Sequence, residues 1–223
     1  MLCQTLSALY SHASLAINSV AGPGADLALA SRSISHTVII ASAESLAKLH
    51  ASETAGTTNP LQRLAHTLQT RTLLDGRMPT NTVLSKLLGS GDCAIGTTPG
   101  RLRLILASQR AGSEALQLDS STLNDLRIYT KARICYALGA SKVAGAVSQT
   151  NVYDYRGDDR PGQGHFGVPV SSVEVRLANK DDGLVAGNTP RGQIVASGPS
   201  VVGGEARLGV EGVFREDCTL AYA

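Results

Sequence analysis

Tryptophan is absent from this 223-residue chain, phenylalanine occurs twice and cysteine four times. Four thiols spread over that length, at Cys3, Cys93, Cys135 and Cys218, exclude a disulfide-dense mini-protein. None forms a CxxC pair, and His12, the histidine closest in sequence to any of them, stands at neither finger nor ribbon spacing, so a zinc site is not expected. Scattered single thiols suit a reducing compartment and read as small buried hydrophobes. Charge is also sparse, at 17% of residues with a net +2. No run of Lys and Arg could track a phosphate backbone, so a nucleic-acid partner is not expected. No stretch reaches the ~20 apolar residues of a membrane span. The opening Met1–Tyr10 lacks the charged region and unbroken apolar core of a secretory signal, so the expected location is cytoplasmic, with an organelle as the alternative. Twenty-three glycines and eight prolines occur without a repeat, which excludes collagen, and 43% hydrophobic residues is too many for a disordered tail. That content can bury a sizeable core, as one large domain or two small ones.

What is present reads first as helices and buried strands. Leu6, Leu9, Leu15 and Ile17 lie among small residues, and Leu27, Leu29 and Ile34 follow the break at Gly22–Gly24. Thr37–Ala41 is short, apolar and β-branched, as a strand buried on both faces is. It runs through Ser42 into a helix over Glu44–His50, with leucines at helical spacing and Glu44 favourable in the first turn. A second helix is expected over Leu61–Leu74, and Val83, Leu84, Leu87 and Leu88 suggest further helical turns before a loop at Gly89–Asp92. Leu102–Ser108 then reads as a buried strand, Ser120–Tyr129 as a capped helix with Leu123, Leu126 and Ile128 or Tyr129 inward, and Arg133–Leu138 as the next strand. A strand, a crossover helix and a strand in close succession predict a parallel pair.

After about residue 150 the pattern changes to short alternating strands between Gly- and Pro-rich turns. Ser172–Leu177 places Val173, Val175 and Leu177 on one face and Glu174 and Arg176 on the other, and Gly192–Ser197 is a second such strand. Turns are expected at Asp181–Gly183 and Asn188–Pro190. The expected fold class is therefore α/β, with parallel strand–helix–strand units over 1–150 followed by a β-rich part over 151–223.

The order of these pieces resembles the adenylate-forming (AMP-binding) superfamily, most of all its long-chain acyl-CoA synthetases. Ser35–Ile40 stands where that family has a K-P-T-V strand, and Gly100–Ala111 where it has G-x-L-R-x-x-x-S-G-A-A-P before a helix. Gly145–Thr150 occupies the place of Y-G-x-T-E-T, His165–Val170 that of x-x-G-x-P-L, and Gly192–Pro199 is close to G-E-I-x-V-x-G-P. Gly203 and Gly204 stand near the usual x-G-Y, and Gly212–Asp217 resembles G-W-F-R-T-G-D shortened by one residue. The specificity comes from collinearity over nearly the whole chain.

The resemblance implies a partial adenylation domain that activates a fatty or other carboxylic acid as an acyl-adenylate, with ATP/AMP, Mg²⁺ and CoA as the family's small molecules. It carries nucleotide binding onto Gly145, Ser148, Gln149 and Asp217, and the metal position onto Gln149. Gln149 offers a neutral amide oxygen where the family brings a carboxylate, Gly145 replaces a tyrosine that stacks on adenine, and Asp217 retains the acceptor for a ribose diol. No Gly/Thr-rich phosphate loop precedes the Thr37 strand. Gly96–Arg101 has a similar composition but lacks the lysine and reads as a turn feeding the next strand. The chain stops at Ala223, before the position of the family's mobile lid domain and its lysine, so no catalytic residue is assigned and weak or no catalysis is expected. His165 reads as a turn residue, because no Gly-x-Ser-x-Gly elbow or triad partner accompanies it. Asp154, Asp158 and Asp159 with Arg156 and Arg160 read as a solvated loop. Two alternatives stand beside this reading: a non-catalytic nucleotide-, acyl- or partner-binding module, and a fragment of a longer active ligase. A part-domain should also leave sheet edges and apolar faces uncovered.

Overall fold

The computed structural model describes residues 2–18, 24–56, 59–79, 95, 101–114, 117–156, 164–179 and 189–223. The expected helical turns at 83–88, the loop at 89–92, the turn at 96–100, the acidic residues 158 and 159 with residue 160, and the turns at 181–183 and 188 lie outside these.

Four helices and a strand come first: α1 (Leu2–Tyr10), α2 (Leu27–Ser31), β1 (Val38–Ser42), α3 (Ala43–Gly56) and α4 (Pro60–Leu74). Next are β2 (Leu104–Arg110), α5 (Ser120–Thr130), β3 (Arg133–Gly139), β4 (Ala146–Gln149) and β5 (Val168–Pro169). The remainder is β6 (Glu174–Ala178), β7 (Arg191–Ser197), β8 (Glu205–Phe214) and β9 (Leu220–Tyr222). The architecture is α/β, as the hydrophobic patterning predicts. A five-stranded sheet has the order β1-β2-β3-β4-β5, and a four-stranded sheet follows with the order β6-β7-β8-β9.

β1, β2 and β3 are parallel and in continuous register, with Ile39 beside Ile105 and Ile105 beside Ile134. In β2 the pleat alternates cleanly. Ile105, Ala107 and Gln109 are buried, and the intervening side chains are more open. The direction then reverses, because β4 returns antiparallel to β3 and β5 antiparallel to β4. The second sheet is an antiparallel meander throughout. An isolated bridge between Val143 and Val201 links the β3–β4 connection to the β7–β8 connection.

Helix ends are set by local chemistry. Asn59 caps α4 through its side chain with Pro60 in the first turn, and the Asp119 carboxylate accepts from Thr122 N at 2.7 Å to start α5. α5 ends on Lys131 in the left-handed region, φ 55°. It buries Leu123, Leu126 and Ile128 as its spacing predicts, and packs against both α3 and α4. One hydrophobic cluster runs from Leu46 of α3 through Ile105, Leu126 and Ile134 to Phe166, Ile194 and Leu220.

Two expectations differ from what is found. β1 is not buried on both faces: among the described residues its only strand neighbour is β2, and Val38 is 48% exposed. The α1 leucines Leu6 and Leu9 are exposed, as is the Leu61, Leu64 and Leu68 stripe of α4. Not every described cysteine is buried either, because Cys218 is exposed whereas Cys135 is enclosed. Among the described residues no helix is long and apolar enough to cross a membrane.

Candidate functional site

The four residues singled out from the sequence fall on two elements that meet across one glycine. Gly145 sits in the bend before β4 at φ +99°, with open space where a side chain would go. Ser148 and Gln149 follow on β4 and, as the pleat requires, point to opposite faces. Ser148 is fully buried, and among the described residues its hydroxyl has no hydrogen-bond partner. Gln149 is exposed, pairs with Ala137 on one side and with Val168 on the other.

Asp217 lies in the turn joining β8 to β9. That turn closes through Arg215 N to Thr219 O at 3.0 Å and Cys218 N to Arg215 O at 2.9 Å, with Cys218 at φ 62°. The segment between the two elements is 164–170. Phe166 N donates to Leu220 O at 2.7 Å and Leu220 N to Gly167 O at 2.8 Å, stitching β9 to it. On its other side Gly167, at φ +75°, lies so close to β4 that a Cβ would collide with the Gln149 carbonyl and come within 2.6 Å of Thr150 Cα. Only a glycine permits this approach. Gly167 thus brings the β4 end that carries Gln149 and the hairpin that carries Asp217 onto opposite sides of one residue.

Around Asp217 the structure assembles groups that sequence reasoning read otherwise. Of the pair read as part of a solvated loop, Arg156 is exposed as expected, whereas the Asp154 side chain is largely withdrawn from solvent. The Arg156 guanidinium forks onto Asp154, Nε to Oδ1 and Nη2 to Oδ2 at 2.8 Å each, and its Nη1 reaches Asp217 Oδ2 at 2.5 Å. The Asp154 side chain is only 11% exposed, and His165 Nε2 stands 3.9 Å from its Oδ2. His165 is itself buried, and its Nδ1 accepts from Gly167 N at 3.1 Å, which leaves the proton on Nε2, facing Asp154. Burial alone would raise the Asp154 carboxyl, but the Arg156 guanidinium and, less strongly, His165 hold it below the usual carboxylate range. Burial would also raise Asp217, yet the Thr219 N–H and hydroxyl together with Arg156 bring it to about 2. Arg156 is pushed up by Asp154. The spacing of Asp154 and Arg156 was visible in the sequence. Their partner Asp217, 61 residues away from Arg156, was not.

A second cluster, which no motif announces, sits among the helices. His50 of α3 and His66 of α4 approach the two oxygens of Asp125 on α5, at 2.9 and 3.1 Å. Both rings pack against Tyr129, one turn further along α5. Burial would raise Asp125, and the two histidines hold it at about 2. Among the described residues no group of three His, Cys, Asp or Glu is arranged to hold a metal ion.

No family model matches the chain, and no curated protein matches it. Among solved structures it is similar to o-succinylbenzoate coenzyme A synthetase (MenE) from Bacillus subtilis in complex with ATP and magnesium, with 13% identity and a TM-score of 0.49 over 100% of this chain and 34% of that one. It is similar to the anthranilate CoA ligase AuaEII in complex with anthranoyl-AMP, with 18% identity and a TM-score of 0.43 over 55% of this chain and 24% of that one. It is also similar to PA1221, a protein containing adenylation and PCP domains of the NRPS type, with 15% identity and a TM-score of 0.45 over 56% of this chain and 28% of that one. The chain thus spans between 24% and 34% of the length of these three.

Proposed function

We propose that this chain carries the middle of an adenylate-forming, acid-activating fold, most like that of the long-chain acyl-CoA synthetases, with an α/β part over 1–150 and a β-rich part over 151–223 of the same domain. Gly145, Gln149 and Asp217 are its nucleotide-facing positions, whereas Ser148, which the resemblance also carries over, is buried beneath them. The observation that carries the reading is the order of direction in the first sheet. β2 and β3 run parallel from Leu104 beside Arg133 to Arg110 beside Gly139, and β4, which carries Gly145–Gln149 into the sheet, then turns back against β3. The collinear motifs require the first of these features, β2 and β3 side by side and pointing the same way. Gly167 adds to it by joining the edge of β4 to the Asp217 hairpin.

ATP or AMP is the ligand this reading assigns, and the Asp217 carboxylate suits a ribose diol, since it is ionised and lies at the surface of a hairpin. The residues fit Mg²⁺ poorly. Gln149 offers one neutral oxygen, and the Ser148 hydroxyl is enclosed in the core. We therefore read the chain as binding nucleotide with weak or no acid activation of its own, in a soluble, cytoplasmic setting. The alternatives are a non-catalytic module that holds an acyl or partner ligand, and a portion of a longer ligase that uses CoA. ATP–pyrophosphate exchange with a panel of carboxylic acids tests the chemistry, and calorimetric titration with ATP, AMP and an acyl-CoA tests the binding. Heat with AMP and no exchange is the expected result. Robust exchange would refute the inactivity, and no heat with any of the three would refute the nucleotide reading.

A further inference from the structure

Asp217 has two carboxylate oxygens, and the protein engages both. Oδ1 accepts from Thr219 N at 3.1 Å and from Thr219 Oγ1 at 2.7 Å, within its own turn. Oδ2 accepts from Arg156 Nη1 at 2.5 Å. The guanidinium is not a loose surface charge. Its other edge is fixed as a fork on Asp154, whose side chain is 11% exposed and is approached from behind by His165 Nε2. Two of three donor nitrogens thus anchor Arg156, and the third is delivered to Asp217. Solvent still reaches the pair, because Arg156 is 53% and Asp217 38% exposed.

We infer that Arg156 is a built-in competitor for the Asp217 carboxylate, so that a vicinal diol such as the ribose of a nucleoside binds there by displacing the guanidinium. The inference rests on the nucleotide reading above and adds to it a residue that sets affinity. A vicinal diol presents two hydroxyl donors, for which a carboxylate is a strong acceptor. The oxygen that could take them is engaged by the strongest kind of donor available to a side chain. Breaking an exposed pair of this kind weakens diol binding by about fivefold.

Adenosine tests this directly, because it carries the diol and no charge, so that salt acts on the Arg156–Asp217 pair and hardly on the ligand itself. The full chain and its Arg156→Gln variant are titrated calorimetrically with adenosine and with 2′,3′-dideoxyadenosine, in about 50 and about 500 mM NaCl. Expected are adenosine binding about fivefold tighter in Arg156→Gln, a wild-type affinity that rises toward the variant's with salt, and dideoxyadenosine binding that follows neither change. Should the variant fold poorly, the salt dependence of the wild-type chain still decides. Equal adenosine affinity in the two chains, or a wild-type affinity indifferent to salt, overturns the competition and leaves the nucleotide reading standing. Absence of binding of adenosine and AMP to both chains overturns the nucleotide reading, and the inference falls with it.

Discussion

The packing of α3 and α4 onto α5 is predicted to depend on one carboxylate. Asp125 receives His50 on one oxygen and His66 on the other, with its side chain 27% exposed. Its pKa lies at about 2 against an ordinary 3.8. A shift of that size corresponds to ~2 kcal/mol of stability, and partial solvent access reduces it to ~1 kcal/mol. Because the folded value is the lower one, the stabilisation is fully present above about pH 4 and is lost as the pH falls toward 2. Asp125→Asn keeps the shape and removes the charge. Denaturant unfolding of both chains between pH 2 and 7 should give a ΔΔG of ~1 kcal/mol that is flat above about pH 4.5 and shrinks toward zero near pH 2, with a thermal midpoint lower by ~2–4 °C at neutral pH. A difference that stays constant down to pH 2, or one below ~0.3 kcal/mol at neutral pH, would refute the claim that the two histidines hold this charge.

Two further outcomes follow from the geometry. Gly167→Ala places a methyl group against the Gln149 carbonyl in a left-handed backbone, whereas Gly112→Ala has φ +74° and nothing within 4 Å. Thermal or denaturant unfolding should therefore show a loss of ~3 kcal/mol for the first and ~1 kcal/mol for the second, and equal losses would contradict the close approach. In a Cys3→Ser/Cys93→Ser background, an aqueous disulfide reagent should label Cys218 in the native chain and Cys135 only on unfolding. Burial encloses the Cys135 thiol and pushes its pKa up. Simultaneous labelling of both would show that β3 is open.

How far the sequence could be read depended on whether an element announces itself along the chain. The alternation of β2 and the leucine spacing of α5 each span seven or more residues, and both are found where expected. β4 has only four residues, too few for an alternation to show, and was recognised as a motif and not as a strand. β8 is ten residues long, yet it carries Gly209 at φ +72° and pairs with β7 across a register shift, so its period is interrupted. The two charge clusters escaped for a different reason. His50 and Asp125 are 75 residues apart and Arg156 and Asp217 are 61 apart, and no one-dimensional pattern joins them. Sheet and helix periodicity sets which face of an element is covered, but it does not say which polar residue of another element arrives there.

Gly167 shows how a weak sequence signal can carry a strong spatial constraint. In the sequence it is the glycine of a turn, a position that many residues with a flexible backbone could fill. In the fold its N–H goes to His165, its carbonyl to Leu220, and its α-carbon lies against the Gln149–Thr150 peptide, so three backbone segments converge where a side chain would be. The separation between the β4 edge and the Asp217 hairpin is therefore fixed by the absence of one methyl group. His165, held by that same N–H, is aimed at Asp154, which in turn orients Arg156 toward Asp217. A glycine chosen for close packing thus also determines which cation meets the carboxylate proposed to bind ribose. A backbone shift at residue 167 should therefore move affinity for a diol.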